Sequence, residues 1–210
     1  MNFVPFKAAL HLAVFSLLVV GSVSIMFHIT KDKIAANEYQ ALLSSLQQVL
    51  VAQTYDNDVV NSVLNRGNYK IYQAKQGNKV VAVILQTTTT EGYNGDIQLL
   101  IAFDYLGKLL GVEVLKHKET PGLGDKIERQ KSDWLLSFQG KAVTMMQTSL
   151  WAVKRDGGEF EQFTGATITP RAIVNAVKRA GQFFSDNKEF LNESPSPNPL
   201  PLERALSYAD

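Results

Sequence analysis

The sequence predicts an α+β domain, an antiparallel sheet meander with packed helices, preceded by one N-terminal transmembrane helix. Three observations carry that expectation. From Ala8 to Ile29 the chain is apolar apart from His11, Ser16, Ser22, Ser24 and His28. From about 69 to 116, runs rich in β-branched residues are separated by tight turn signals, which is how consecutive antiparallel strands read. From Pro170 onward, apolar residues recur with a helical period.

The first run is 22 residues long, and a helix needs about 20 to cross the hydrocarbon core. A cleaved signal competes with a retained anchor. The run exceeds the ~7–15 apolar residues of a signal sequence, and no A-x-A-like cleavage site follows it. A retained anchor is therefore expected. Lys7 lies on one side of it and Lys31 and Lys33 on the other, so charge alone gives no clear orientation. Lys33 to Val51 reads as a helix continuing the anchor, with Ile34, Tyr39, Leu42, Leu43, Leu46 and Leu50 near helical spacing.

Gly67 closes a polar stretch. Tyr69–Lys75, the turn Gln76-Gly77-Asn78 and Val80–Leu85 form a hairpin. Thr87–Thr90 continues into a glycine-punctuated loop through Gly92, Tyr93 and Gly95. Ile97–Phe103 and Lys108–Leu115 are strands joined by a turn at Asp104–Gly107. After a loop at Lys118–Asp125, Trp134–Phe138 makes a helical turn or two with Ser132 as N-cap. Trp151–Val153 is a short strand and Asp156-Gly157-Gly158 a turn. Thr169 is the expected N-cap of a helix from Pro170 to about Ser185, because Pro suits the first helical position. Ile173, Val174, Val177, Ala180 and Phe184 make the buried stripe of that helix. Pro195, Pro197, Pro199 and Pro201 favour an extended chain end. The expected division is a membrane anchor over 1–33 with its span at about 8–29, a domain over 34–192, and a Pro-rich tail over 193–210.

Composition narrows the chemistry. There is no cysteine, which excludes disulfides, thiolate metal ligation and a Cys nucleophile. Lys+Arg 21 nearly balance Asp+Glu 20, so there is no basic footprint and no nucleic-acid partner is expected. His11 and His28 lie in the apolar run, leaving His117 as the one histidine of the rest of the chain. A multi-histidine metal site cannot be built, and no metal is expected. A Ser-His-Asp triad could form only around His117. What remains is chemistry carried by hydroxyls, carboxylates, backbone amides or a borrowed cofactor.

Two stretches offer such chemistry. Residues Glu161 to Thr169 read Glu-Gln-Phe-Thr-Gly-Ala-Thr-Ile-Thr. Gly165 and Ala166 leave Thr167 sterically uncovered just before a helix N-terminus. The orphan N–H groups and positive dipole end there suit a phosphate, and a hydroxyl beside them is what a phosphoester attachment requires. Ordinary N-capping accounts for the same residues on physical grounds alone. Residues Glu119 to Asp125 read Glu-Thr-Pro-Gly-Leu-Gly-Asp. Gly122 and Gly124 permit positive φ and close approach of a flat ligand, Thr120 offers a hydroxyl and Leu123 an apolar face. A tight turn closing a hairpin is the alternative, with His117 a surface polar residue and Glu119 a solvated or capping carboxylate.

In combination these stretches resemble the FMN-binding domain family. Thr164–Thr167 matches the family's flavin-attachment motif, Glu119–Gly124 matches a second signature, and Gly92-Tyr93-Asn94-Gly95-Asp96-Ile97 resembles a third. Their order and spacing, with the N-terminal anchor, are similar to the G-subunit family of Rnf-type electron-transport complexes. The C subunits of sodium-pumping NADH:quinone reductases share the first two motifs. The resemblance implies one covalent FMN, joined by its phosphate to Thr167. Thr164, Gly165 and Ala166 would form the recognition motif for a flavin transferase that attaches FMN from FAD. Glu119, Thr120, Leu123 and Gly124 would contact the ring. The family motif usually opens with Asp where this chain has Glu161, one methylene longer. The resemblance further implies an electron carrier with no catalytic residues or turnover of its own. It would sit in a membrane complex coupling ferredoxin–NAD electron transfer to ion translocation, with other membrane and peripheral subunits and the lipid bilayer as partners. The location implied is the cell inner membrane, single-pass, with the soluble domain on the periplasmic side. Electron delivery toward quinone, as in the sodium-pumping reductases, and a cofactor-free anchored adaptor are the alternatives.

Overall fold

The structure, a computed structural model, describes residues 4–50 and 53–192. Helix α1, Val4–Val49, runs unbroken through the apolar run and the amphipathic stretch after it. Among the described residues it is the one helix long and apolar enough to cross a bilayer. Leu12, Leu17, Leu18 and Phe27 on it are exposed. A helical segment apolar all round is the pattern of a membrane span.

The described residues from 45 to 192 belong to a second compact unit. Five strands pair antiparallel in chain order: β1 Val63–Arg66, β2 Tyr69–Gln76, β3 Lys79–Gly92, β4 Gly95–Asp104 and β5 Leu109–Lys116. This is the expected meander with one strand added at its edge. Register places Val83 opposite Phe103, Leu85 opposite Ile101, and Ile101 opposite Val112, so these side chains share one face. That face carries the main core together with Ile173, Val177 and Phe184 of helix α2, Ile168–Asp186. Phe103 and Phe184 stack at 4.9 Å. The other face presents Tyr72, Ile84, Leu100 and Ala102, all buried. Here Val49 lies against Gly111, where an added Cβ would stand 3.3 Å from the Val49 Cα, and Leu46 and Leu50 are buried beside it in sequence. A sheet covered on both faces explains why β3 and β4 read as near-continuous apolar runs.

The segment between β5 and α2 is made of 3-10 turns, among them Gly124–Ile127 and Asp133–Phe138. Ser132 caps the second, its hydroxyl accepting the Trp134 N–H at 3.1 Å. Trp134, Phe138, Trp151, Phe160 and Phe163 hold this irregular stretch together through ring contacts of 4.5–6.0 Å. A short helix α3, Lys188–Asn192, follows α2.

Four expectations need correction. Thr87–Thr90 is not a loop but the continuation of β3. Thr87 and Thr89 are buried and Thr88 and Thr90 exposed, the alternation of a strand, and β-branching suits threonine to it. Val63–Arg66 forms an edge strand that the polar stretch before Gly67 concealed. Trp151–Val153 makes no strand; Val153 forms only an isolated bridge to Phe160. Trp151 is instead drawn into the ring cluster, its indole N–H donating to the Val174 carbonyl at 3.0 Å. Finally, α2 begins at Ile168, so Thr167 and not Thr169 occupies the N-cap position. Pro170 then sits inside the first turn, where a missing N–H is tolerated. Val51 and the Pro-rich tail over 193–210 lie outside the described residues.

Candidate functional site

A cavity of about 320 Å³ opens at the N-terminus of α2, within the range of small-molecule sites. Three segments line it: the β3–β4 turn through Tyr93, the loop at Glu119–Gly124, and the stretch Gly165–Thr169. The two sequence stretches singled out above are some forty residues apart, yet they touch. An added Cβ on Gly165 would meet the Leu123 Cδ2 at 3.4 Å, and one on Gly124 would meet the Thr169 Oγ1 at 2.9 Å.

Local geometry explains how Thr167 is presented. Phe163 to Ala166 closes a tight turn, with the Ala166 N–H donating to the Phe163 carbonyl at 3.1 Å. Gly165 has φ +82° at its third position, which needs glycine. Thr167 follows half-buried, and its hydroxyl makes no capping hydrogen bond. It therefore stands at the positive end of a 19-residue helix without the contact a capping threonine would make. Thr164, at the turn corner, is exposed and does not line the cavity. Glu161 is also exposed; its carboxylate pairs with Lys154, while Trp134 Nε1 donates to its carbonyl at 2.8 Å.

The Glu119 loop is more than a closing turn. Gly122 has φ +78° with open space around it, whereas Gly124 is confined by Glu119 and Thr169. Glu119 is not a solvated carboxylate: it is 5% exposed and accepts the Asn94 N–H at 3.0 Å and the Thr169 hydroxyl. His117 is not a free surface group either. Its Nδ1 accepts the Glu119 N–H at 3.0 Å, which leaves the ring proton on Nε2, 3.0 Å from Glu128. Leu123 stands 43% exposed at the rim, as do Tyr93 at 65% and Ile168 at 45%. Tyr93, Ile168 and Thr169 were absent from the expected site. Tyr93 belongs to the third signature, so a signal existed for it, while Thr169 was hidden by its reading as a cap. Among the described residues no cluster of three or more His, Asp or Glu could hold a metal.

Comparison with known proteins places these features. Residues 92–182 match the FMN-binding domain family, and residues 5–49 match the RnfG N-terminal region. The chain is 46% identical over 200 residues to the G subunit of the ion-translocating oxidoreductase complex of Cronobacter sakazakii, covering 90% of this chain and 95% of that one. It is 43% identical over 197 residues to the protein of the same description from Escherichia coli (strain K12), covering 90% and 96%. Among solved structures it is similar to the C subunit of the Na(+)-translocating NADH-quinone reductase from Parabacteroides distasonis, at 21% identity and a TM-score of 0.45, covering 66% of this chain and 70% of that one. By its identity to these G subunits over nearly the whole of both chains, this chain belongs to the G-subunit family of ion-translocating oxidoreductase complexes.

Proposed function

We propose that the chain carries one FMN, joined by its phosphate to the Thr167 hydroxyl, and acts as an electron-carrying subunit of an Rnf-type membrane complex. That complex would couple electron transfer between ferredoxin and NAD to ion translocation. The observation that carries this reading is the meeting of Glu119–Gly124 and Gly165–Thr167 around one cavity at a helix N-terminus.

The residues present suit a flavin. The N-terminal amides of α2 favour a phosphate, and Thr167 offers a hydroxyl beside them. Leu123, Tyr93 and Ile168 are apolar groups exposed at the rim, available to cover a flat ring. Thr120, which lines the cavity, would offer a polar contact to it. Bound there, the flavin supplies electron transfer in one- or two-electron steps. The chain's part is to hold and tune it. About 1.4 kcal/mol of differential stabilisation moves a two-electron potential by ~30 mV, so modest contacts matter. Thr164, Gly165 and Ala166, on an exposed turn, suit recognition by a flavin transferase, with the longer Glu161 at the motif's opening position. A covalent tether keeps the cofactor's local concentration independent of free FMN.

In this reading residues 1–33 anchor the chain in the cell inner membrane as a single pass, and residues 34–192 form the FMN domain on the periplasmic side. Other membrane and peripheral subunits, and the bilayer, are its partners. The test is in-gel flavin fluorescence after denaturing electrophoresis of the full-length chain, made in cells expressing a flavin transferase. A fluorescent band at the chain's own mass is expected. A colourless, non-fluorescent chain would leave a cofactor-free adaptor. Copurifying subunits that deliver electrons to quinone would instead indicate a sodium-pumping reductase.

A further inference from the structure

We propose that Glu119 and Thr169 form a buried clasp that sets the spacing of the walls around the flavin ring, acting as positioning residues without contacting the ring through the carboxylate. This rests on the reading of the cavity as the FMN site. Both carboxylate oxygens are already engaged: Oε1 accepts the Asn94 N–H at 3.0 Å and Oε2 accepts the Thr169 hydroxyl. Thr169 is wholly buried. The Asn94 side chain adds a second tie, its Nδ2 donating to Thr120 Oγ1 at 3.0 Å. One carboxylate thus fastens three segments: the β3–β4 turn and the loop after β5, which the β4–β5 ladder brings to the same end of the sheet, and the first turn of α2.

The glycines around the clasp leave it room, although a Cβ on Gly92 would first meet the Gly95 carbonyl of its own turn. An added Cβ on Gly92 would lie 2.9 Å from Glu119 Oε1, and one on Gly124 would lie 2.7 Å from Oε2. Two of the clasped residues are next in sequence to the apolar rim: Tyr93 precedes Asn94 and Ile168 precedes Thr169. The third rim group, Leu123, precedes Gly124, which packs closely against the Glu119 carboxylate. Fixing the clasp therefore constrains the three apolar groups available to flank the ring. Neutral donors hold this carboxylate. An amide could keep both ties, one oxygen accepting the Asn94 N–H and its NH2 donating to the Thr169 hydroxyl, so an apolar side chain of similar size is what breaks the clasp.

The test uses the full-length flavin-loaded chain with Glu119→Met, Thr169→Val and Thr169→Ser. Each is assayed for covalent flavin in a denaturing gel, for the visible flavin spectrum and midpoint potential when folded, and for thermal melting. Glu119→Met and Thr169→Val are expected to keep covalent flavin, which depends on Thr167. They are expected to shift the spectrum and potential in the same direction, with the double variant showing less than the sum. Thr169→Ser, which keeps the hydroxyl, is expected to retain the wild-type spectrum. A folded Glu119→Met or Thr169→Val with wild-type spectrum and potential would overturn the clasp and leave a purely structural bond. If Thr169→Val does not accumulate, Glu119→Met decides alone, because Met is close to Glu in size and accepts neither hydrogen bond. Absence of flavin from the wild-type chain in the denaturing gel would overturn the site itself.

Discussion

Thr167 and Thr169 are the same residue type two positions apart, and the fold gives them opposite surroundings. Thr167 is half-buried with no capping bond; Thr169 is wholly buried and donates to Glu119. The helix start decides this, because moving it from Pro170 to Ile168 turns Thr169 inward. Gly122 shows a different constraint. Its φ of +78° is strained for any L side chain, although an added Cβ would meet nothing within 4 Å. Gly122→Val should therefore act through the backbone alone, at about 1–3 kcal/mol. Covalent flavin should be retained while the spectrum and potential shift, measured by spectroelectrochemistry; an unchanged spectrum at unchanged stability would reduce the loop to a turn. At this scale the place of Thr167 just before a helix and the positive φ of Gly122 were legible in the sequence. Glu119 read as a ring contact or as a solvated carboxylate, and its burial was not legible, because only the distant Asn94 and Thr169 make it a buried acceptor.

The loop that carries Glu119 is pinned on its far side by a charged cluster. Lys131 Nζ lies 2.8 Å from Asp125 Oδ2 and 2.7 Å from Glu128 Oε1. The hydrogen bond from Lys131 holds both carboxyls below their ordinary range. A lowered native pKa contributes stability in full above the ordinary carboxylate value near 4 and loses it as pH falls through the lowered value. Lys131→Met should thus lower Tm at neutral pH, with the difference from wild type closing at about pH 4 and below. Melting curves across pH check this, and a pH-independent difference would refute it. Strands and helices themselves were mostly legible. The turns at Gln76-Gly77-Asn78 and Asp104–Gly107 and the stripe from Ile173 to Phe184 each follow a local period or turn rule. Thr87–Thr90 is ambiguous in the sequence because threonine's hydroxyl suits a loop and its β-branching a strand. Val63–Arg66 was missed because a four-residue edge strand has no pattern of its own and exists only against β2.

For the whole molecule, two faces of one sheet divide the labour. The face toward α2 and the ring cluster holds the cavity's supports, while the other is closed near Gly111 by the end of α1. If the 34–192 domain lies outside the cytoplasm, protease added to spheroplasts should digest it, and full protection with an accessible membrane surface would reverse the orientation. The account as a whole turns on one bond, between the Thr167 oxygen and a flavin phosphate. Intact-mass measurement of the full-length chain and its Thr167→Ala variant, both made with the flavin transferase present, tests it most directly. The wild-type chain should be heavier than its sequence by one FMN less one water, and Thr167→Ala should carry no such increment. The same increment on Thr167→Ala would contradict the account.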